Sequence, residues 1–312
     1  MGSMCGLYAV IEQNFKKKCD MMVVSKIPAV YEFLPNIDKV KHLAEFDCSR
    51  VYDLVINVDV ATLERICEGR ILFQKALHTV NIDHHKTSGN YAEINIINPE
   101  ASSTSEVLLD IAEALGWKLN FDAAINFYTG ILTDTGSFRF SNTTPSALIH
   151  AAKLVAIGVN PPDIYRKVYE SDSKTIVLFQ AYCVSRAQFL ENDKIAYTIV
   201  YKKDMEKFGA GEDAMEGLTE KLRAIVTTEA AFVVKEMKSG TSKVSMRTKT
   251  LDAAQICERF GGGGHTLAAG CTIKAPPEEA AKKILDEIAR ASRGRNGQGV
   301  EPCRVDPFYA SE

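Results

Sequence analysis

Asn81-Ile82-Asp83-His84-His85 closes an apolar, strand-like segment with a carboxylate and two imidazoles in a row. Successive side chains of a strand point to opposite faces, so adjacent polar groups at its end diverge. One can hold a cation while its neighbour reaches a ligand. Three such groups are costly to bury without partners, and a solvated turn with incidental histidines is the plain alternative. What weighs against that alternative lies elsewhere in the chain: Asp59 after the apolar run Val55-Ile56-Asn57-Val58, Asp134 where an apolar helix breaks into small residues, and a glycine tetrad followed by His265.

Working outward, Val55–Val58 reads as a parallel strand covered on both faces, delivering Asp59 at its carboxyl end. Further strands are expected at residues 21–24 and 79–82, and helices at 4–15, 121–132, 145–157 and 162–169. Asn98-Pro99 marks a turn, and Ser103-x-x-Glu106 reads as a capping box opening the next helix. Strands alternating with helices imply an α/β fold with a mainly parallel sheet. Beyond residue 190 the style changes. Strands at 195–201, 230–235 and 243–247 alternate with helices near 216–226 and 251–260, as in a second, smaller α/β unit. The expected organisation is a first domain over 1–172, a connector helix over 173–190, a second domain over 191–292 and a loosely ordered tail over 293–312. The groove between the domains is the expected substrate site.

A length of 312 residues suits two cores better than one, and 46% hydrophobic with 25% charged residues is ordinary for a globular chain. A formal charge of −3 argues against coating long nucleic acid. The Lys16-Lys17-Lys18 run reads as a solvated helix end. Eight cysteines lie scattered without a C-x-x-C pair, which fits neither a zinc knuckle nor a dithiol motif. They suit a reducing cytoplasm. No apolar run of about 18 residues is available for a membrane span, and the basic-then-apolar order of a secretory signal is missing from the N-terminus.

In an open parallel sheet the carboxyl ends of neighbouring strands converge on one crevice. Asp59 and His84 meet there if their strands are adjacent. Carboxylate and imidazole ligands suit Mn²⁺, Mg²⁺ or Fe²⁺ better than structural zinc. Two such ions would clamp the attacking and leaving oxygens of a phosphoryl transfer. Gly261-Gly262-Gly263-Gly264-His265 follows a helix, and its backbone N–H groups are candidates to meet an anion. Arg247 is a candidate bidentate phosphate partner, and Arg139 a second cation near the metal ligands.

Asp83-His84-His85, the Thr-Gly-Ile-Leu-Thr-Asp-Thr-Gly-Ser-Phe run ending at Phe138, and Gly261–His265 followed by Ala268-Ala269-Gly270 resemble, in this order, the DHH–DHHA1 phosphoesterases. The likeness is nearest to their nanoRNase and pAp phosphatase group and spans residues 2–290. It implies a DHH domain with a dimanganese site, Mg²⁺ being the other candidate, and a DHHA1 domain that grips the rest of the nucleotide. Asp59 matches the ligand bridging both metals, and His84 and Asp134 match ligands of one of them. His85 matches a position touching the scissile phosphate, while Asp83 would orient the imidazoles. Arg247, Gly261, Gly262, Gly263, Gly264 and His265 match the substrate grip.

The family opens with a strand and a His-x-Asn-Pro-Asp-x-Asp segment just before a Gly-Ser that starts the first helix. Here Gly2-Ser3 matches that helix start, and Asp20, Asp38 and Asp47 lack the motif's setting. The expectation is therefore that the functional polypeptide begins upstream. The implied activity is metal-dependent hydrolysis of short oligoribonucleotides, or of 3′-phosphoadenosine 5′-phosphate (pAp), to 5′-mononucleotides. Cyclic- or linear-dinucleotide phosphodiesterase is a sibling activity, and a non-catalytic nucleotide-binding protein is the reading from another class. The expected partners are short RNA, dinucleotides or pAp and a second copy in a homodimer, with neither long nucleic acid nor membrane.

Overall fold

A computed structural model describes residues 1–237 and 240–296, with side chains to residue 292. The chain divides into two compact units, Met1–Ser171 and Asp172–Glu312.

The first unit opens with α1 (Gly2–Phe15), followed by β1 (Met21–Val23), β2 (Val40–His42) and β3 (Leu54–Val58). Helix α2 (Arg70–Lys75) leads to β4 (His78–Asp83) and β5 (Ile94–Ile97), and then come α3 (Thr104–Ala114), α4 (Phe121–Asp134), α5 (Pro145–Ile157) and α6 (Pro161–Tyr169). All five strands pair in parallel, but in two separate sheets, β1-β2 and β3-β4-β5. Register places Ile56 opposite Val80 and Val58 opposite Ile82. These four side chains line one sheet face and join the core built with Leu108, Phe127 and Ile131 of α3 and α4. Helix α1 crosses α4 closely because Gly2 has no side chain: a Cβ there would stand 2.4 Å from the Asn126 carbonyl. Ser3 and Ser105 share a hydrogen bond of 2.9 Å beside that crossing.

The capping box expected at α3 takes a different form. Ser103 caps the helix by accepting from the Glu106 N–H, but the Glu106 carboxylate reaches back to the N–H and hydroxyl of Ser102, at 2.7 and 2.6 Å. Two buried serine donors, at 0% exposure, set this choice.

The second unit contains α7 (Lys174–Ser185), β6 (Gln188–Leu190), β7 (Ile195–Val200), α8 (Lys202–Phe208), α9 (Leu218–Arg223), β8 (Ala230–Glu236) and β9 (Ser242–Thr248). It closes with α10 (Ala253–Glu258), β10 (Gly263–His265), β11 (Ala268–Ile273) and α11 (Pro277–Asn296). Its six strands run in the order β10-β11-β9-β8-β7-β6, antiparallel except for β7 with β8. One face carries the core of Phe232, Met246, Ile256 and Ile284, the other that of Phe179, Ala231, Leu218 and Leu222. The helix expected over 173–190 ends at Ser185, and residues 188–190 instead form an edge strand on β7. Phe179 and Cys183 of α7 are buried in this unit's core, so the helix is one of its own elements. Helix α11 runs on to Asn296, beyond the expected start of the tail at 293; residues 297–312 lie outside the described residues.

Among the described residues no helix is long and apolar enough to cross a membrane.

Candidate active site

Strands β3 and β4 are neighbours in parallel register, so their carboxyl ends open side by side. The backbone turns sharply at Asp59, which adopts a left-handed conformation with φ 65°. An aspartate tolerates this better than most residues because its short polar side chain bonds locally. The turn is held by the Asp59 N–H donating to the Ile82 carbonyl at 3.0 Å. Thr104, the first residue of α3, donates its hydroxyl to Asp59 Oδ1 at 3.0 Å.

Asp83, the last residue of β4, is fully buried. Its Oδ1 accepts from the His84 N–H at 2.7 Å, the His85 N–H at 3.3 Å and His85 Nδ1 at 2.8 Å. Burial pushes this carboxyl up, yet the His85 side chain, the Ser88 side chain and the His84 backbone together outweigh it and hold the group below its ordinary value. In return Asp83 raises the proton affinity of the His85 ring through that hydrogen bond, against the pull of burial; Asp59 adds to the rise, and the charge of Arg65 opposes it.

His84 is oriented differently. Its Nδ1 faces the Ala101 carbonyl at 3.3 Å, an acceptor, so Nδ1 is the donor of that contact. Nε2 stands 3.6 Å from Asp59 Oδ1 and 3.8 Å from Asp134 Oδ2. Asp134 is the last residue of α4. Its side chain is 36% exposed. Burial, then the charge of Asp59, push its carboxyl up to about 7.

His84 Nε2 thus stands near both carboxylates at separations too long for hydrogen bonds. Two carboxylates and an imidazole at these distances are reconciled by a shared proton or by a cation, and the donor set fits a divalent ion. One ligand atom from each of Asp59, Asp83, His84 and His85 also lies within 4.8 Å of the others. Asp83 and His85 are tied to each other, while Asp134 lies outside this cluster and approaches it at His84. Carboxylate oxygens with one imidazole nitrogen suit a hard or borderline divalent ion.

Past Asp134 the chain makes a left-handed turn over Gly136, Ser137 and Phe138, at φ 56°, 61° and 60°. Arg139 follows, its Nε donating to the Gly136 carbonyl at 2.8 Å.

In the second unit, Arg247 pairs in register with Ala268, and Ala268 with His265. Paired residues share a face, so Arg247 and His265 flank a small residue, about 10 Å apart across two strand spacings. The guanidinium is already engaged: Nε donates to Glu220 Oε1 at 2.7 Å, and Nη1 to the Met246 carbonyl at 2.9 Å. Neither Glu220 nor Thr104 is singled out by the sequence. Each lies in ordinary helical pattern, and only strand register or helix placement brings Glu220 to Arg247 and Thr104 to Asp59.

The four glycines divide by role, which corrects the expectation of a continuous anion-binding backbone. Gly261 N–H donates to the Glu258 carbonyl and Gly262 N–H to the Cys257 carbonyl, both at 3.0 Å. With Gly261 at φ 72°, these bonds form the Schellman closure of α10. Those two amides are spent on the helix end. Gly263 and Gly264 belong to β10, paired with Gly270 and Ala269.

Comparison with known proteins agrees with this layout. Residues 1–131 match the DHH family, N-terminal domain, and residues 192–293 match the DHHA1 domain. The bifunctional oligoribonuclease and PAP phosphatase NrnA of Bacillus subtilis (strain 168) is 30% identical over 294 residues, covering 92% of this chain and 88% of the relative. The protein of the same name from Thermus thermophilus is 30% identical over 213 residues, 67% of this chain and 63% of the relative. The crystal structure of an exopolyphosphatase-related protein from Bacteroides fragilis shares the fold with a TM-score of 0.88 at 25% identity, covering 93% of this chain and 87% of that one. DHH phosphoesterases are metal-dependent, in keeping with the acid–histidine cluster. With both domains matched in order, and a relative aligned over most of its length, the chain belongs to the DHH–DHHA1 phosphoesterase family.

Proposed function

We propose that this protein is a metal-dependent phosphohydrolase that cleaves short oligoribonucleotides and pAp to 5′-mononucleotides. The observation that carries the reading is the approach of Asp59 Oδ1 and Asp134 Oδ2 to His84 Nε2, a carboxylate–imidazole set that fits a divalent cation. The names of the Bacillus and Thermus relatives, bifunctional oligoribonuclease and PAP phosphatase, favour these two substrates.

In this reading Asp59, His84 and Asp134 hold Mn²⁺, with Mg²⁺ as the other candidate. A bound ion would supply Lewis acidity at the phosphate. The protein's part is orientation. Asp83 fixes the His85 ring through Nδ1 and favours its protonated form, so Nε2 is the atom that would donate to a phosphate oxygen. Arg139 lies on the turn that leaves Asp134. In the second unit, Arg247 and His265 are the candidate nucleotide contacts, with Gly263 and Gly264 beside them. The enzyme would work in a reducing cytoplasm, which suits its free thiols at Cys5, Cys183, Cys257 and Cys271.

The test is hydrolysis of a diribonucleotide and of pAp in Mn²⁺ buffer, followed by chelation. Turnover that disappears with the metal and returns on adding Mn²⁺ supports the reading. Tight binding of either ligand without turnover under all metal conditions would favour a non-catalytic nucleotide binder.

A further inference from the structure

Beneath the metal ligands, on the sheet face opposite the apolar core, strands β3 and β4 set Asn57 directly opposite Asn81. Both are buried, at 8% and 0% exposure, where an amide needs partners. The partner they share is Tyr91, outside β5. Asn57 Nδ2 donates to the Tyr91 hydroxyl at 3.4 Å. The single hydroxyl proton is shared between the Val60 carbonyl at 2.7 Å and Asn81 Oδ1 at 2.9 Å. Asn81 Nδ2 in turn donates to Ser88 Oγ at 3.2 Å, and the Ser88 N–H donates to the His85 carbonyl at 3.1 Å. The two segments so connected are also stitched by Gly89 N–H to the Ala61 carbonyl, at 3.0 Å. Packing of Phe73 against the Tyr91 ring, edge to face at 5.6 Å between centroids, fixes where the hydroxyl lies.

Val60 directly follows Asp59, whose left-handed backbone aims the carboxylate at the site, and Ser88 closes the turn that carries His84 and His85. We propose that Tyr91 is a positioning residue: its hydroxyl, with Asn81 and Ser88, holds the Asp59–Ala61 loop and the His84–Gly89 loop in mutual register and thereby sets the spacing of Asp59 from His84. Tyr91 reaches no ligand-facing atom itself and acts through the two loops. The role in metal binding rests on the proposed metal site; the role in loop register does not.

The variant is Tyr91→Phe in the full chain, which keeps the ring packed and removes only the hydroxyl. The first measurement is amide hydrogen exchange without metal. Protection at Asp59, Ser88 and Gly89 should fall by about tenfold or more, while strands β3–β5 keep theirs and the melting temperature moves by only a few degrees. Ser88→Ala should loosen residues 85–89 and leave Asp59 protected. The second measurement is Mn²⁺ affinity by titration calorimetry, where a supporting shell of this kind predicts roughly tenfold weaker binding in Tyr91→Phe. Unchanged protection at all three amides overturns the inference. So does a loss spread evenly over β3–β5, since Tyr91 would then be an ordinary core bond. If wild-type protein takes up no Mn²⁺, the metal reading fails, and the exchange experiment still decides the role of Tyr91.

Discussion

Replacing Gly262 by alanine should damage the second unit far more than the same change one residue later. A Cβ on Gly262 would lie 2.2 Å from the Gly270 carbonyl oxygen, 2.5 Å from Cys271 Cβ and 2.7 Å from Cys271 Cα. Ordinary contact begins near 3.4 Å, and two of these three atoms are backbone of a paired strand that cannot swing aside. Relief requires the β10–β11 hairpin to move off α10 by about 1 Å, an overpacking that costs about 2–3 kcal/mol. At Gly263 a Cβ meets nothing within 4 Å and the backbone is not left-handed, so Gly263→Ala should stay within about 0.5 kcal/mol of wild type. Gly261 has open space but φ 72°, and its alanine variant should lose about 1 kcal/mol to the left-handed backbone alone. Gly264→Ala combines φ 150° with a 2.4 Å approach to the Ala268 carbonyl and should rank with Gly262→Ala. Urea unfolding of the four variants measures the order. The melting transition of the second unit should drop by roughly 5–12 °C for Gly262→Ala. Equal stability for Gly262→Ala and Gly263→Ala would refute the reasoning, because the tetrad would then be a pliable loop rather than a close helix–hairpin contact.

Asp83→Ala should cost about 1–3 kcal/mol in denaturant melts, since it strands the His84 and His85 N–H donors beside a buried void; a change under about 0.5 kcal/mol would mean those donors find water. His84→Ala should leave the metal-free melting temperature nearly unchanged while weakening Mn²⁺ binding at least tenfold by calorimetry, and undiminished affinity would remove His84 from the ligand set. Arg247→Ala should raise KM roughly tenfold and change kcat much less, the pattern of a remote contact. Glu220→Ala releases the guanidinium from its 2.7 Å carboxylate partner and should lower KM or leave it unchanged; a rise in KM equal to that of Arg247→Ala would show that the pair acts as one structural unit.

The change of style near residue 190 and the alternation of strand and helix before it are visible in the chain because they depend on periods of two and 3.6 residues, which are local. The same holds for Asp59 and Asp83 at strand ends, and for Asp134 at the end of α4: an apolar run must stop somewhere, and the polar group that stops it is conspicuous. Helix ends were read less well. Glu106 has two serine residues within reach, and only the burial of Ser102 decides between them. The turn at 186–187, which makes residues 188–190 a strand, depends on β7 being there to pair with.

The local chemistry of the site was thus written in the sequence, while its convergence was not. Nothing in residues 81–85 states that β4 pairs with β3 in a register that sets Asn57 against Asn81, or that α4 ends beside both. Those facts come from sheet order and helix packing, which sum many weak contacts between residues far apart in the chain. The same sums gave Arg247 a carboxylate partner, assigned the first two glycines of the tetrad to the end of α10, and brought Thr104 to Asp59. A residue's type sets what it can bond to; which partner it receives is decided where distant segments meet, because only there do burial and distance make one bond worth more than water.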